Sequence, residues 1–371
     1  MAEMQSMIQN TVVLIPSLEP DHRFSAYLQE LSSVGFGQIV VVDDGSGDGY
    51  RHIFSEAEEI DRVTVIHHEV NRGKGAALKT GYRYILDHLP EITGIITADS
   101  DGQHTVDDCV LMAEKLAEGK KALYLGSRDF SLPDIPPKSR TGNRITSIVF
   151  MLLYGVWLQD TQTGLRAFRR EDLDFMIRVG GERFEYEMKV LIACAVQRIP
   201  MIAIPIKTVY ENGNDGTHFH PIRDSYRIYK VILGGFFKFM FSSLICFAAD
   251  QILFNVLRSW LFPMLGLKVN NTISLGFMAD NTSLANYTAR LFSAILNFRL
   301  NKDLVFKVKA KKGTAWRYAV TAAAILLMST LCIKFAGLIG ISPWIAKILA
   351  DTLLYFASYR IQQNWVFKEE I

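Results

Sequence analysis

Asp99, Asp101 and Gln103 stand two residues apart in ADSDGQ, directly after the apolar run GIIT. Oxygen side chains at that spacing suggest a hard cation: two carboxylates and an amide form an incomplete shell for Mg2+ or Mn2+. Mg2+ characteristically takes one or two protein carboxylates and completes its octahedron with waters and substrate phosphates. A diphosphate leaving group would be neutralised there as charge develops on it. The alternative is a solvated acidic turn with Asp as a helix N-cap. Asp43 and Asp44 in DDGS carry the same ambiguity, because that tetrapeptide is also good turn chemistry. Either of them has the chemistry to accept hydrogen bonds from a nucleoside.

These acids need elements to hold them. TVVLIPS, QIVVVDD, RVTVIHH, GIITADS and ALYLGSR are short apolar runs, each ending in a polar loop. Between them lie segments with helical spacing: HRFSAYLQELSSV, YRHIFSEAEEI, NRGKGAALKTGYRYIL and VDDCVLMAEKLAEG. Strands alternating with helices argue for an α/β fold with a mainly parallel, covered sheet. Ligands of such sheets sit beyond the carboxyl ends of the strands. VDDGS, NRGKG, ADSDGQ and GSR all fall there, and their convergence on one edge says more than any single motif.

Three other phosphate or metal loops fail on their own residues. GSGDGY has Tyr50 where a dinucleotide fingerprint needs its third glycine. NRGKGAALKT has His68 and Gly75 in place of the first Gly and the Ser or Thr of a P-loop. ADSDGQH places His104 and Val110 where a calcium loop needs Gly and Glu. The four cysteines are scattered and are expected to be buried free thiols. His218 and His220 have no third ligand at zinc-like spacing and read instead as part of a loop over the site.

TVVLIPSLEPD, IVVVDDGSGDG, NRGKGAALKTGY, TADSDGQH, GSRDF, DTQTGLRAF and RFEYEMKVLIA occur in that order. Together they resemble a family 2 glycosyltransferase with a GT-A fold, of the polyprenyl-phosphate sugar synthase type related to dolichol-phosphate mannose synthases. The resemblance covers roughly residues 10–230. It implies that Pro16, Ser17, Glu19, Asp43, Asp44 and Lys74 lie around a nucleotide sugar, UDP- or GDP-linked, with Asp99, Asp101 and Gln103 on its metal-bound diphosphate. Leu18 stands where many relatives carry an aromatic residue, so one base-stacking surface is given up. The acceptor implied is a polyprenyl phosphate, undecaprenyl or dolichyl. The resemblance puts Arg128 and Arg144, with Ser147, near its phosphate, and Arg166 adds a third cation able to bind oxygens bidentately. A phosphate oxygen is ionised at neutral pH, so an in-line, inverting attack on the anomeric carbon needs little general-base help. Asp160, with Glu185 and Glu187, would then orient the sugar and the arginines.

From about Phe236 the composition changes to long apolar stretches, at about 237–258, 284–301, 315–338 and 343–361, each near the length a bilayer core requires. NFRLNKDLVFK closes the second and SYRIQQNWVFK the fourth, while FFKFMFSS and AWRYAVTA begin alike, so the region is a tandem repeat of helical hairpins. It resembles the GtrA-like four-helix membrane domains. The expected organisation is a GT-A domain over 1–220, a basic amphipathic juxtamembrane segment over 221–235, and a transmembrane domain over 236–371. Lys302, Lys307, Lys309, Lys311, Lys312 and Arg317 crowd the loop between hairpins, which puts that loop, both termini and the catalytic domain on the cytoplasmic side. MAEMQSMIQN is polar and TVVLIPS too short for a signal-peptide core, in line with that orientation. Arg290 is expected to pair with Asp250 or Asp351 inside the bundle, since an unpaired charge there costs at least about 2.5 kcal/mol.

A net charge of +2 over 371 residues singles out no partner, and membrane lipid rather than nucleic acid is expected, with homo-oligomerisation open. Two rivals share these features. A polysaccharide synthase would carry Q-x-x-R-W, which is absent; a lipid-linked sugar transporter would only bind nucleotide.

Overall fold

A computed structural model describes residues 2–130, 137–207, 221–266, 281–308, 313–338, 341 and 343–367. The chain divides into two compact units, Met1–Ile232 and Leu233–Ile371. In chain order the first carries α1 (Ala2–Gln9), β1 (Thr11–Ser17), α2 (Phe24–Val34), β2 (Gln38–Asp43), α3 (Arg51–Glu58), β3 (Val63–His67), α4 (Lys74–His88) and β4 (Gly94–Thr97). It continues with α5 (Val106–Ala117), β5 (Leu123–Ser127), α6 (Pro137–Tyr154), β6 (Arg166–Arg169), α7 (Leu173–Arg178), α8 (Glu185–Gln197) and β7 (Met201–Pro205). The division falls within α9 (Pro221–Val256). The second unit adds α10 (Phe262–Met264), α11 (Asn281–Leu300), α12 (Thr314–Leu338) and α13 (Pro343–Ile361).

The seven strands form one sheet in the order β3-β2-β1-β4-β6-β5-β7. β6 alone runs antiparallel to its neighbours β4 and β5. β1, β2 and β4 are almost wholly buried, the signature of central strands covered on both faces, which is why they read as unbroken Val and Ile runs. Val13, Ile15, Ile39, Val41 and Ile96 pack with Leu28 and Leu31 of α2 in one core. The chain first builds outward from β1 to β2 and β3, then returns to add β4 on the other side of β1. That reversal opens the crevice where open α/β sheets bind ligands. Register brings Ser17 beside Asp43 and Asp43 beside His67 at the carboxyl edge.

The five strands read from the sequence are present, and β6 and β7 are additions. β6 is four residues long with an Arg at either end, so it offers no apolar run to detect. α1 is a further addition: the polar-looking start of the chain folds as a helix that buries Ile8, with Thr11 Oγ1 donating to Met7 O at 2.9 Å. All four cysteines are free and three are buried, but Cys332 is exposed, against expectation, because it faces outward from an apolar helix.

In the second unit α11, α12 and α13 coincide with three of the expected spans. Among the described residues one helix, Tyr226–Met264, is long and apolar enough to cross a membrane, with a mean hydropathy of 1.9 over its best window. α11 intersperses Arg290, Asn297 and Arg299 among its apolar residues. The repeat is visible in the backbone. Both hairpins close in a π-helical turn, Asn301–Val305 and Gln362–Val366, with Phe306 N–H donating to Asn301 O and Phe367 N–H to Gln362 O, each at 2.8 Å. The equivalent residues also meet: Asn301 Nδ2 donates to Gln362 Oε1 at 3.0 Å, and Phe306 stacks on Phe367. Arg290 Nε lies 3.7 Å from Asp250 Oδ2, one of its two expected partners. The Asp351 side chain, and His218 and His220, lie outside the described residues.

Candidate active site

The first acid pair ends β2 and begins the loop after it. Asp43 is nearly buried: its Oδ1 accepts from Ser46 N–H and its Oδ2 bonds His67 Nδ1, both at 2.8 Å. Asp44 is more fully engaged. Its Oδ1 bonds His68 Nδ1 at 2.8 Å and accepts from Arg72 N–H at 3.0 Å, while its Oδ2 accepts from Gly73 N–H at 2.7 Å. His68 is anchored in turn by Thr80 at 2.9 Å. Asp44 therefore ties the NRGKG loop to the sheet edge. Gly73 sits at φ 102°, and a side chain there would collide with Arg183 and with Glu182 O, so only glycine lets the loop dock against the start of α8.

The other nucleotide-side candidates line the end of β1. Pro16 pairs with Val42 in the sheet, and the buried Ser17 Oγ has no hydrogen-bond partner among the described residues. Glu19 is exposed in the left-handed region at φ 50°, and its N–H donates to Ser46 Oγ at 2.8 Å. A non-glycine residue in that region costs roughly 1 kcal/mol or more and persists where its surroundings hold it. Here Ser46 links Glu19 to Asp43, bracing the mouth of the crevice.

The second acid pair follows β4. Lys74, at the start of α4, places Nζ 2.6 Å from Asp99 Oδ1 and 3.0 Å from Glu187 Oε2. His104 Nε2 lies 3.5 Å from Asp99 Oδ2. Burial alone would lower the Lys74 pKa, but Asp99 and Glu187 reverse this and raise it. Burial would likewise raise Asp99, and Lys74 and His104 instead hold it well below the usual carboxylate range. Asp101 moves the other way: burial and then the neighbouring Asp99 charge push its carboxyl up. Gln103 N–H donates to Asp101 Oδ1 at 3.1 Å. Gly164, in the loop before β6, approaches so closely that any side chain there would strike the Asp99 carboxylate.

This donor set fits a divalent cation of a particular kind. No cluster of three His, Cys, Asp or Glu able to hold a metal occurs among the described residues. A carboxylate that resists ionisation beside Asp99, with Gln103 next in the same loop, suits an ion that brings phosphate oxygens as its remaining ligands.

The arginines separate. Arg128 grips Asp160 through Nε at 2.6 Å and Nη2 at 3.0 Å, and Asp160 Oδ1 also accepts from Gln162 N–H at 3.0 Å. Arg166 is buried; its Nε donates to Thr163 O at 3.0 Å and its Nη1 to Glu187 O at 2.9 Å, bracing the Asp160 loop against α8. Arg144 is exposed on α6. Ser147, one turn further, is buried and returns its hydroxyl to Asn143 O at 3.0 Å. Glu185 accepts from Glu182 N–H and Arg183 N–H at the start of α8, a helix-terminal role distinct from that of Glu187 on Lys74.

Asn143 and Gly164 were not singled out by sequence reasoning, and His68 and His104 figured there only as mismatches to a P-loop and a calcium loop. Asn143 Nδ2 donates to Gln159 O at 2.5 Å and its Oδ1 accepts from Thr161 N–H at 3.1 Å, locking α6 to the Asp160 loop. Only long-range contacts reveal these roles, although Gly164 lies inside the quoted motif DTQTGLRAF.

Residues 35–176 match the glycosyl transferase family 2 model, and residues 264–367 match the GtrA/DPMS transmembrane domain. The chain is 33% identical over 202 residues to an uncharacterized protein, MJ1222, of Methanocaldococcus jannaschii, covering 53% of this chain and 81% of that one. It is 28% identical over 215 residues to a UDP-N-acetylglucosamine–dolichyl-phosphate N-acetylglucosaminyltransferase of Methanococcus voltae, covering 53% and 85%. A polyprenol monophosphomannose synthase of Mycolicibacterium smegmatis is 27% identical over 172 residues, covering 45% and 64%.

Proposed function

The chain belongs to glycosyl transferase family 2 and carries a GtrA/DPMS transmembrane domain, and from that premise we propose that it moves a sugar from a nucleotide sugar to a polyprenyl phosphate. The donor lies along the carboxyl edge, between the Asp43–Ser46 brace and the Asp99–Asp101 pair. Asp99, Asp101 and Gln103 hold Mg2+ or Mn2+ on the diphosphate, and the ion supplies neutralisation of the charge that develops on the leaving group.

One observation carries the lipid acceptor. On α6, Arg144 shares a helix face with Ile148 and Met151, and Ile145 and Leu152 flank them; these four apolar side chains are each 43–49% exposed. A soluble enzyme gains nothing by presenting such a stripe, whereas a cation set in an apolar face suits a phosphate whose ester chain lies in lipid. Arg128, fixed by buried Asp160, adds a second cation whose geometry is already set. The phosphate attacks the anomeric carbon from the face opposite the nucleoside diphosphate, so the configuration inverts. The work of the protein is positioning and electrostatic stabilisation. The donor domain and the basic loop between the hairpins lie on the cytoplasmic side.

The test is a screen of radiolabelled UDP- and GDP-sugars with purified full-length protein and polyprenyl phosphate. Label extractable with the lipid, dependent on Mg2+ or Mn2+, is the expected outcome. Nucleotide binding without turnover, together with scrambling of lipid-linked sugar in vesicles, would contradict it in favour of transport.

A further inference from the structure

Lys74 is the point where three elements of the first unit converge. It opens α4, while its two partners come from the loop after β4 and from α8. The side chains of Lys74, Asp99 and Glu187 are 15%, 29% and 13% exposed. Both oxygens of Asp99 face protein groups, Oδ1 towards Lys74 and Oδ2 towards His104. A divalent ion bound at about 2.1 Å from Asp99 would be pressed against the ammonium that already neutralises it.

We propose that Lys74 is a resident counter-cation: it occupies the metal-binding carboxylate Asp99 while no nucleotide is bound, and releases it only when the donor diphosphate arrives. This rests on the reading of Asp99 and Asp101 as the metal–diphosphate centre. Glu187 makes the exchange feasible, because it keeps the ammonium paired after Asp99 has gone to the metal. The incoming diphosphate supplies the second anionic partner. The loop itself is fixed by the Arg72 and Gly73 bonds to Asp44 and by the close approach of Gly73 to residues 182 and 183, so the side chain moves and the backbone does not. Metal and nucleotide then bind with strong positive coupling, and metal alone binds poorly.

The experiment measures Mn2+ affinity of detergent-solubilised full-length protein from the spin-resonance signal of free Mn2+, first alone and then with UDP or GDP. Lys74→Met is expected to bind Mn2+ alone roughly tenfold more tightly than wild type, and to gain less from nucleotide. Lys74→Arg, which keeps the charge, is expected to behave as wild type. Lys74→Gln is the second neutral variant should Lys74→Met fail to fold, with thermal unfolding reporting integrity. Unchanged or weaker binding of Mn2+ alone in the folded neutral variants overturns the proposal. Failure of wild type to bind Mn2+ even with UDP or GDP removes the metal–diphosphate reading and this exchange with it. Nucleotide-dependent binding in wild type without a gain in the neutral variants removes the exchange only.

Discussion

The acid pairs at the ends of β2 and β4 stand on either side of β1 and look alike in sequence: two aspartates at the carboxyl end of a parallel strand. Their surroundings differ in kind. Asp44 accepts from donors that cannot leave, the buried His68 and the backbone N–H groups of Arg72 and Gly73, while Asp43 accepts from Ser46 N–H and the half-exposed His67. Asp99 is held by the end of a lysine side chain and by a more distant histidine, while Asp101 carries a raised carboxyl beside it. Acids saturated by fixed donors shape a site. An acid held by a side-chain cation, with a second acid beside it that resists ionisation, is where the proposed reading puts the metal and the diphosphate.

The contrast breaks most visibly at Asp99. Asp99→Asn is expected to lower sugar transfer about a thousandfold while the thermal midpoint stays within a few degrees, since what is lost is the electrostatic contact with the developing charge. Steady-state rates with saturating Mn2+ check this; a loss of folding in place of rate would put Asp99 with the structural acids.

Asp44→Ala should do the opposite. It strands His68 and two backbone donors beneath the NRGKG loop, at a cost of about 3 kcal/mol, or a fall of roughly 10 °C in the thermal midpoint for a domain of this size. Mn2+ affinity measured below the unfolding range should change little with nucleotide present. An unaltered midpoint would mean that Asp44 contacts ligand directly.

That distinction shows how much the sequence disclosed. The alternation of apolar runs and helical segments located β1 to β5 and their loops, because central parallel strands must be apolar on both faces. The motif order located both acid pairs and the arginines. Which acid is saturated was not legible, since the donors to Asp44 lie 24 to 29 residues downstream and meet it only once β3 has paired with β2. Arg166 illustrates the same limit: an arginine inside DTQTGLR looks like a phosphate ligand, yet β6 turns it inward to carbonyl oxygens. In the membrane unit the repeat was readable from its matching ends, but not that Asn301 and Gln362 would bond each other across it.

A smaller effect sharpens the Asp99 side. Gly164→Ala inserts a methyl group that would overlap Asp99 Oδ2 and should displace the carboxylate by about an ångström. Nucleotide-dependent Mn2+ affinity is expected to fall about tenfold, with Asp44 and its loop untouched. Identical Mn2+ titrations for wild type and variant would show that the Asp99 position is not critical.

The smallest effect carries the comparison into the second unit. Asp250 has one oxygen 3.7 Å from Arg290 and another, buried, with no partner among the described residues, so among these it is not saturated as Asp44 is. Arg290→Asp should lower the midpoint by about 3 °C, and adding Asp250→Arg should restore it. Independent, additive losses would show that the two charges do not act as a pair.

The most direct measurement follows label from a nucleotide sugar into polyprenyl phosphate, comparing wild type with Asp99→Asn under identical Mn2+. The expected result is labelled lipid formed in step with nucleoside diphosphate by the wild type and almost none by the variant. Label released as free sugar, or equal transfer by both proteins, would contradict it.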